Sequence, residues 1–253
     1  MIRRSRNFLT RTDNINIVLA LVGLGLAISV GFPLVVPNLD RGAICTNLAS
    51  PQGGNNQSLL ALSGGTDVPQ EVELDLKILN DEHKNAVGDV VIQRGEDLMV
   101  RVTFQNNDVG PVTLFFLEDR EVVGNFDTLS AQQSIGLMFE FRELQANSLL
   151  NETGVRQPPS QNSFSSYVLE DLYMLSSKQK CYIDIRFSAS RLEQLGLFVF
   201  PEYRIRAYYR NSSRGVPLPP LAAPTATPMF TDQGVWTGTV QSNEARLITD
   251  LGG

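Results

Sequence analysis

Imidazole and thiol groups are nearly missing from this chain. Its 253 residues hold one histidine, His83, and two cysteines, Cys45 and Cys181. A zinc, haem or iron–sulfur centre draws on several such ligands at defined geometry. No metal or cofactor of the chain's own is therefore expected. A Ser-His-Asp or Cys-His arrangement has only His83 to build on. That residue sits in the polar run Asn80-Asp-Glu-His-Lys84, the setting of a solvated side chain. There is no Gly-rich phosphate loop, no Cys-x-x-Cys and no His-Glu-x-x-His. The Asp-x-Asp-x-Asp calcium spacing with its glycine is also missing. Basic charge is short as well. With 21 Lys+Arg against 27 Asp+Glu the net charge is -6, which argues against a nucleic-acid partner, since phosphate binding needs clustered Lys and Arg. A 42% hydrophobic fraction is too high for a disordered chain. The chain is long enough for one large domain with a real core.

One long hydrophobic run is present. Ile17 to Val36 contains 20 residues and no charge, enough at ~1.5 Å rise per residue to span a ~30 Å hydrocarbon core. Arg3, Arg4, Arg6 and Arg11 precede it and Asp40 follows. Residues 1–14 thus read as a basic cytoplasmic tail, 15–36 as a single membrane-spanning helix, and the remainder as extracytoplasmic. A cleaved signal peptide fits less well. The run exceeds the usual ~7–15 residues, and no small-x-small cleavage site follows it in the right place. Gly23, Ala27 and Gly31 recur at i, i+4 and i+8, a small-residue stripe that lets a neighbouring helix approach closely. The lipid bilayer and an integral-membrane protein are the partners this predicts.

Residues 37–70 have linker composition, with Ser50-Pro-Gln-Gly-Gly-Asn-Asn-Gln-Ser58 and Ser63-Gly-Gly-Thr66. From Glu71 the apolar period becomes two. Val72, Leu74, Leu76 and Ile78 alternate with charged residues, and Leu98, Val100, Val102 and Phe104 repeat the pattern. Val112–Leu117, Ile135–Phe141, Cys181–Phe187, Tyr203–Tyr209, Val235–Val240 and Ala245–Ile248 complete about eight short strands. Ser190–Gly196 reads as one helical turn stopped by glycine. Strands without helical crossovers predict a mainly β, antiparallel sandwich over 71–253.

Insertions at 143–179 and 211–233 break the rhythm. The first contains Pro158-Pro159 and the apolar patch Tyr167–Leu175, read as a short helix. The second is Pro-rich, with Pro217, Pro219, Pro220, Pro224 and Pro228, and is expected to dock a partner. Trp236, Tyr208 and Tyr209 flank it and would support its base. Glu118, Asp119 and Glu121 gather carboxylates at a strand end, where acid/base work competes with a charged hairpin turn. Cys45, in the linker, and Cys181, opening a strand, are either bridged or two unrelated thiols. In the loop-entropy model a bridge would contribute up to ~4–5 kcal/mol.

The stretch Arg94-Gly-Glu-Asp-Leu-Met-Val-Arg-Val-Thr-Phe-Gln-Asn-Asn107 resembles the second strand of bacterial immunoglobulin-like modules. The Leu192…Leu195-Gly196 turn before Tyr203-Arg-Ile-Arg-Ala207 is similar to the connection into their penultimate strand. The likeness runs over 71–250 with interruptions and implies fold rather than activity. The antibody-type Cys…Trp…Cys arrangement is missing. The expectation is a non-catalytic, single-pass accessory or structural subunit of a larger membrane complex, for electron transfer or transport. A stand-alone surface binding or adhesion module is the first alternative, and a carboxylate-dependent envelope hydrolase the second.

Overall fold

Period-two alternation sets the first sheet. In the computed structural model the residues described are 42–50, 71–80, 83–117, 121–131, 133–144, 167–216 and 232–251. The chain divides into two units, Met1–Gly42 and Ala43–Gly253, and the description below concerns the second. Strands β1 (Ala43–Ile44), β2 (Val72–Ile78), β4 (Leu98–Asn106) and β8 (Lys180–Phe187) form a sheet in the order β1-β8-β4-β2. Along β2 buried and exposed residues alternate strictly, with Glu73, Asp75 and Lys77 outside. One face of this sheet meets the core and the other meets solvent, as one-sided sheets do.

The second sheet is built on β9 (Glu202–Asn211). It pairs with β6 (Gly136–Glu143) along one edge and with β10 (Gly238–Gln241) and β11 (Ala245–Asp250) along the other, and β11 pairs onward with β3 (Val90–Gln93). A third, two-stranded sheet joins β5 (Val112–Phe115) to β7 (Leu172–Leu175). Helix α1 (Ala189–Gln194) connects β8 toward β9. Ser188 caps its first turn, accepting from Arg191 N–H at 3.3 Å. Gly196, at φ +79°, follows its end and supplies the left-handed residue that commonly ends a helix. The inner faces of the strands supply one main core, in which Phe104, Phe116 and Tyr209 meet edge to face.

The unit is mainly β, and its two-layer core is compatible with a sandwich. The expectation of purely antiparallel pairing is corrected. β1 runs parallel to β8, and β11 parallel to β3. Burial alternates with period two in either direction, so residue pattern carries no strand polarity. The intervening strands serve here as the long crossovers that parallel neighbours require. The patch Tyr167–Leu175 is likewise not a helix. A 3-10 turn at Leu169–Asp171 leads into β7, whose four residues are all buried. β3 has only four residues, too few to show a period. Val235 makes a single bridge to Thr113, and the strand expected there begins at Gly238. Part of the stretch read as linker belongs to this unit. Leu48 is buried, its N–H donates to Leu172 C=O at 2.8 Å, and Asn47 bridges Tyr173. Among the described residues no helix is long and apolar enough to cross a membrane.

Candidate functional site

Cys45 and Cys181 are joined by a disulfide, with Cα atoms 4.8 Å apart and 136 positions between them in sequence. Both are buried. β1 is only two residues long, so the covalent link fixes this segment against β8 where few ladder hydrogen bonds do.

Just past that link β1 departs from β8. A cleft of about 710 Å³ opens there, lined by Asn47, Phe116, Leu117, Glu121, Glu170, Asp171, Tyr173, Asp184, Ile185 and Arg186. Its apolar floor comes from the buried Phe116, Tyr173 and Ile185. Four carboxylates face one guanidinium, which makes the lining acidic. The Asp184 carboxylate accepts two hydrogen bonds from Arg101, each 2.7 Å, and this pairing raises the Arg101 guanidinium above its ordinary range. Arg186 Nε donates to Asp97 at 2.6 Å. Asp97 also accepts from Ala189 N–H at 2.9 Å. That backbone bond, with Arg186, holds its carboxyl below the usual range.

A second, smaller cleft of about 390 Å³ lies on the outer face of the β9 sheet, among Asp127, Glu140, Arg142, Arg204, Arg206, Tyr208 and Glu244. Its charges are already matched. Glu140 is buried and accepts from Phe126 N–H at 3.1 Å and from Arg142. Glu244 accepts from Arg206 at 2.5 Å.

A third constellation is a polar lock. Tyr167 O–H donates to Asn211 Oδ1 and to Ser213 C=O, both at 2.9 Å. Asn211 Nδ2 donates to Ser213 C=O at 2.7 Å and to Trp236 C=O at 2.8 Å. The Gln233 side-chain amide grips the Tyr167 backbone in both directions, at 2.8 and 3.0 Å. Gly215 lies at φ +78°, and a Cβ there would fall 2.6 Å from the Tyr167 ring, so only glycine fits. Burial pushes the Tyr167 phenol up to about 12.

Of the residues singled out from sequence, Cys45 and Cys181 are brought together. Glu121 lines the larger cleft, whereas Glu118 and Asp119 lie outside the described residues. Gly23, Ala27 and Gly31 also lie outside them, as do Pro217, Pro219, Pro220, Pro224 and Pro228. His83 is exposed, with Nε2 3.2 Å from Glu96 Oε1. Of the three residues expected to support the Pro-rich loop, Tyr209 is buried and its hydroxyl accepts from Phe115 N–H at 3.0 Å. Trp236 packs beside it, ring centroids 5.8 Å apart, and Tyr208 stacks on Phe126. Tyr167 is read from sequence only as the start of an apolar patch, and Asn211 and Gln233 are given no role there. Their roles depend on contacts across 44 to 66 positions, and no local spacing announces such contacts. Among the described residues no group of three or more His, Cys, Asp or Glu is placed to hold a metal ion. No protein-family model matches the chain, and a search of the curated proteins returns no match.

Proposed function

We propose that this chain is a non-catalytic accessory or structural subunit of a larger membrane complex, with its immunoglobulin-like β unit held outside the cytoplasm on a single N-terminal helix. The observation that supports this reading is the Cys45–Cys181 bond. A structural disulfide belongs to an oxidising compartment. It also shortens the tether. Without it, 34 residues separate Val36 from Glu71 and span up to ~110 Å when extended. With it, the attachment point moves to Cys45, nine positions after Val36, a reach of ~30 Å. A short covalent leash suits a module that must stay close to the membrane surface and to its partners there. The Gly23, Ala27 and Gly31 stripe gives the helix a packing face within the bilayer.

The test uses sealed membrane vesicles of both orientations. Alkaline carbonate should leave the chain in the pellet. Protease should remove the β unit only when it is exposed on the non-cytoplasmic side. Mild detergent should extract the chain in a stoichiometric larger assembly, and Gly23→Leu with Ala27→Leu should loosen that association. Release by carbonate would overturn the anchor. Extraction as a lone monomer would overturn the subunit role and leave the stand-alone binder.

A further inference from the structure

The larger cleft meets a strand edge. Asp184, Ile185 and Arg186 are consecutive on β8, and all three line it. Asp184 and Arg186 side chains lie on the outer face of the sheet and Ile185 in the core. Three consecutive residues that alternate between faces can share one cleft only where it approaches the strand edge-on. The register identifies the backbone groups presented there. Asn106 N–H donates to Gln179 C=O, and Phe104 pairs with Cys181, Val102 with Ile183 and Val100 with Ile185. Odd-numbered residues of β8 therefore exchange hydrogen bonds with β4, and even-numbered ones point to the other edge. On that edge β1 covers Tyr182, whose C=O accepts from Cys45 N–H at 2.9 Å. The chain then turns away at Asn47 to bridge Tyr173. Among the described residues nothing pairs with the outward N–H and C=O groups of Asp184 and Arg186.

We propose that this fork between β8 and the β5–β7 sheet captures an extended basic segment of a partner protein, which adds as a strand along Asp184–Arg186 in the track that β1 vacates. The unpaired ladder supplies backbone recognition, as in other strand-addition sites. A volume near 710 Å³ falls within the ~300–1,000 Å³ range of ligand-holding clefts. The lining selects the side chains. On an added strand one set points to the apolar floor of Phe116, Tyr173 and Ile185, and the alternate set faces the acidic rim of Glu121, Glu170 and Asp171. The segment is thus one of alternating apolar and basic residues. This inference goes beyond the subunit reading and does not depend on the membrane anchor.

The probe is the blocked pentapeptide acetyl-Lys-Val-Lys-Val-Lys-amide, titrated into the full chain in detergent. Four comparison measurements accompany it: the acidic counterpart acetyl-Glu-Val-Glu-Val-Glu-amide, two basic forms N-methylated at alternate residues in opposite phases, and amide hydrogen exchange at saturation. Micromolar to millimolar binding is expected, at least tenfold weaker for the acidic peptide. One methylation phase should lose at least tenfold and the other should bind as the parent does, because alternate N–H groups of a strand face opposite edges. Exchange at Asp184 and Arg186 should slow at least tenfold. Arg186→Pro removes an outward N–H while leaving the β4 ladder intact, and should weaken binding similarly. If that variant misfolds, the methylated pair decides with the unaltered protein. Equal binding of the acidic peptide, equal loss in both phases or unchanged exchange would overturn the proposal. So would a dimer whose own contact covers the edge and excludes the peptide. Loss of membrane association with peptide capture intact would strike only the subunit reading.

Discussion

The two main sheets solve burial differently. In the β1-β8-β4-β2 sheet the outer face is wet, and β2 and β8 alternate residue by residue. In the β9 sheet, β6 is buried on both faces, and so is the end of β9 from Ala207 to Asn211. The difference arises outside the strands. Val122, Ile135, Met138 and Tyr208, with Phe126 and Leu129, form a small second core against the outer face. Phe126 stacks on Tyr208 with centroids 4.2 Å apart, and the Arg210 guanidinium lies 4.1 Å from the same ring. Burial lowers the Arg210 guanidinium below its usual value, the cost of placing a cation there, while its Nη1 donates to Ser130 C=O at 2.8 Å. A loop thus covers one sheet and leaves the other open, and the covered sheet carries the buried charged groups Glu140, Glu143 and Arg210.

The largest expected effect separates the two cores. Phe104→Ala empties a site in the main core, where the ring sits 4.9 Å from Phe116 and 5.7 Å from Tyr209. It should cost ~3–5 kcal/mol. Met138→Ala removes a side chain from the covering core alone and should fall near ~2 kcal/mol, the low end for such truncations. Urea unfolding of both variants measures this. Equal losses would mean that the covering loop is as much a part of the fold as the central layer.

Alkaline pH should act through Tyr167, which packs on Phe115 beside the β5–β7 sheet and bonds Asn211 at the end of β9. The Tyr167 phenol is held neutral up to about 12, whereas an unfolded tyrosine titrates near ~10. Between those values the unfolded state binds fewer protons than the folded one. The stabilisation is complete below ~10 and is lost as pH rises toward 12. A shift of that size is worth on the order of 2–3 kcal/mol. Tyr167→Phe should lower stability by ~1 kcal/mol at pH 8 through its lost hydrogen bonds and flatten the decline above pH 10. Tyr209, raised further by complete burial, accounts for the decline that persists. An unchanged slope in the Phe variant would sink the assignment to Tyr167.

Legibility in the sequence follows the same division. β2, β4 and β8 stand out because one face of each meets water, and α1 stands out through the glycine that stops it, Gly196, whereas its cap Ser188 lies two residues before the turn read from sequence. β5, β7 and the end of β9 are buried on both faces, so no alternation survives, and β7 took on the look of a helix. The Cys45–Cys181 option could be stated from compartment and count, but the two residues are 136 positions apart, and only the parallel β1–β8 pairing brings them together. Of the larger cleft, only Glu121 was visible in advance. The open edge of β8 exists because β1 ends after two residues, and nothing in the composition of residues 42–50 marks that departure.

A smaller effect of opposite sign is expected at Thr113, on β5. Its hydroxyl is fully buried and has no hydrogen-bond partner among the described residues, so folding strips it of water without replacement. Thr113→Val keeps the shape and removes that cost, and should stabilise the protein by ~1 kcal/mol. Calorimetry reads this directly. Destabilisation would mean that a bound water serves the hydroxyl.

The smallest effect tests whether the first sheet's outer face is as open as its alternation says. Arg101 and Asp184 form a two-bond fork across β4 and β8, with side-chain exposures of 30% and 35%. In a surface setting such a pair contributes ~0.2–1 kcal/mol, because water screens the attraction and ordering two long side chains costs entropy. The fork geometry favours the upper half of that range. The guanidinium also sits 3.9 Å from the Tyr182 ring centroid. That contact stays out of the pair's coupling, since a double-mutant cycle of Arg101→Ala and Asp184→Ala subtracts whatever each side chain does alone. Coupling below ~1 kcal/mol that weakens further in 1 M salt is expected. Coupling of ~2 kcal/mol or more, insensitive to salt, would show a shielded pair and therefore a covered face. The contrast between the two sheets would then fail at the one place where sequence pattern states it most plainly.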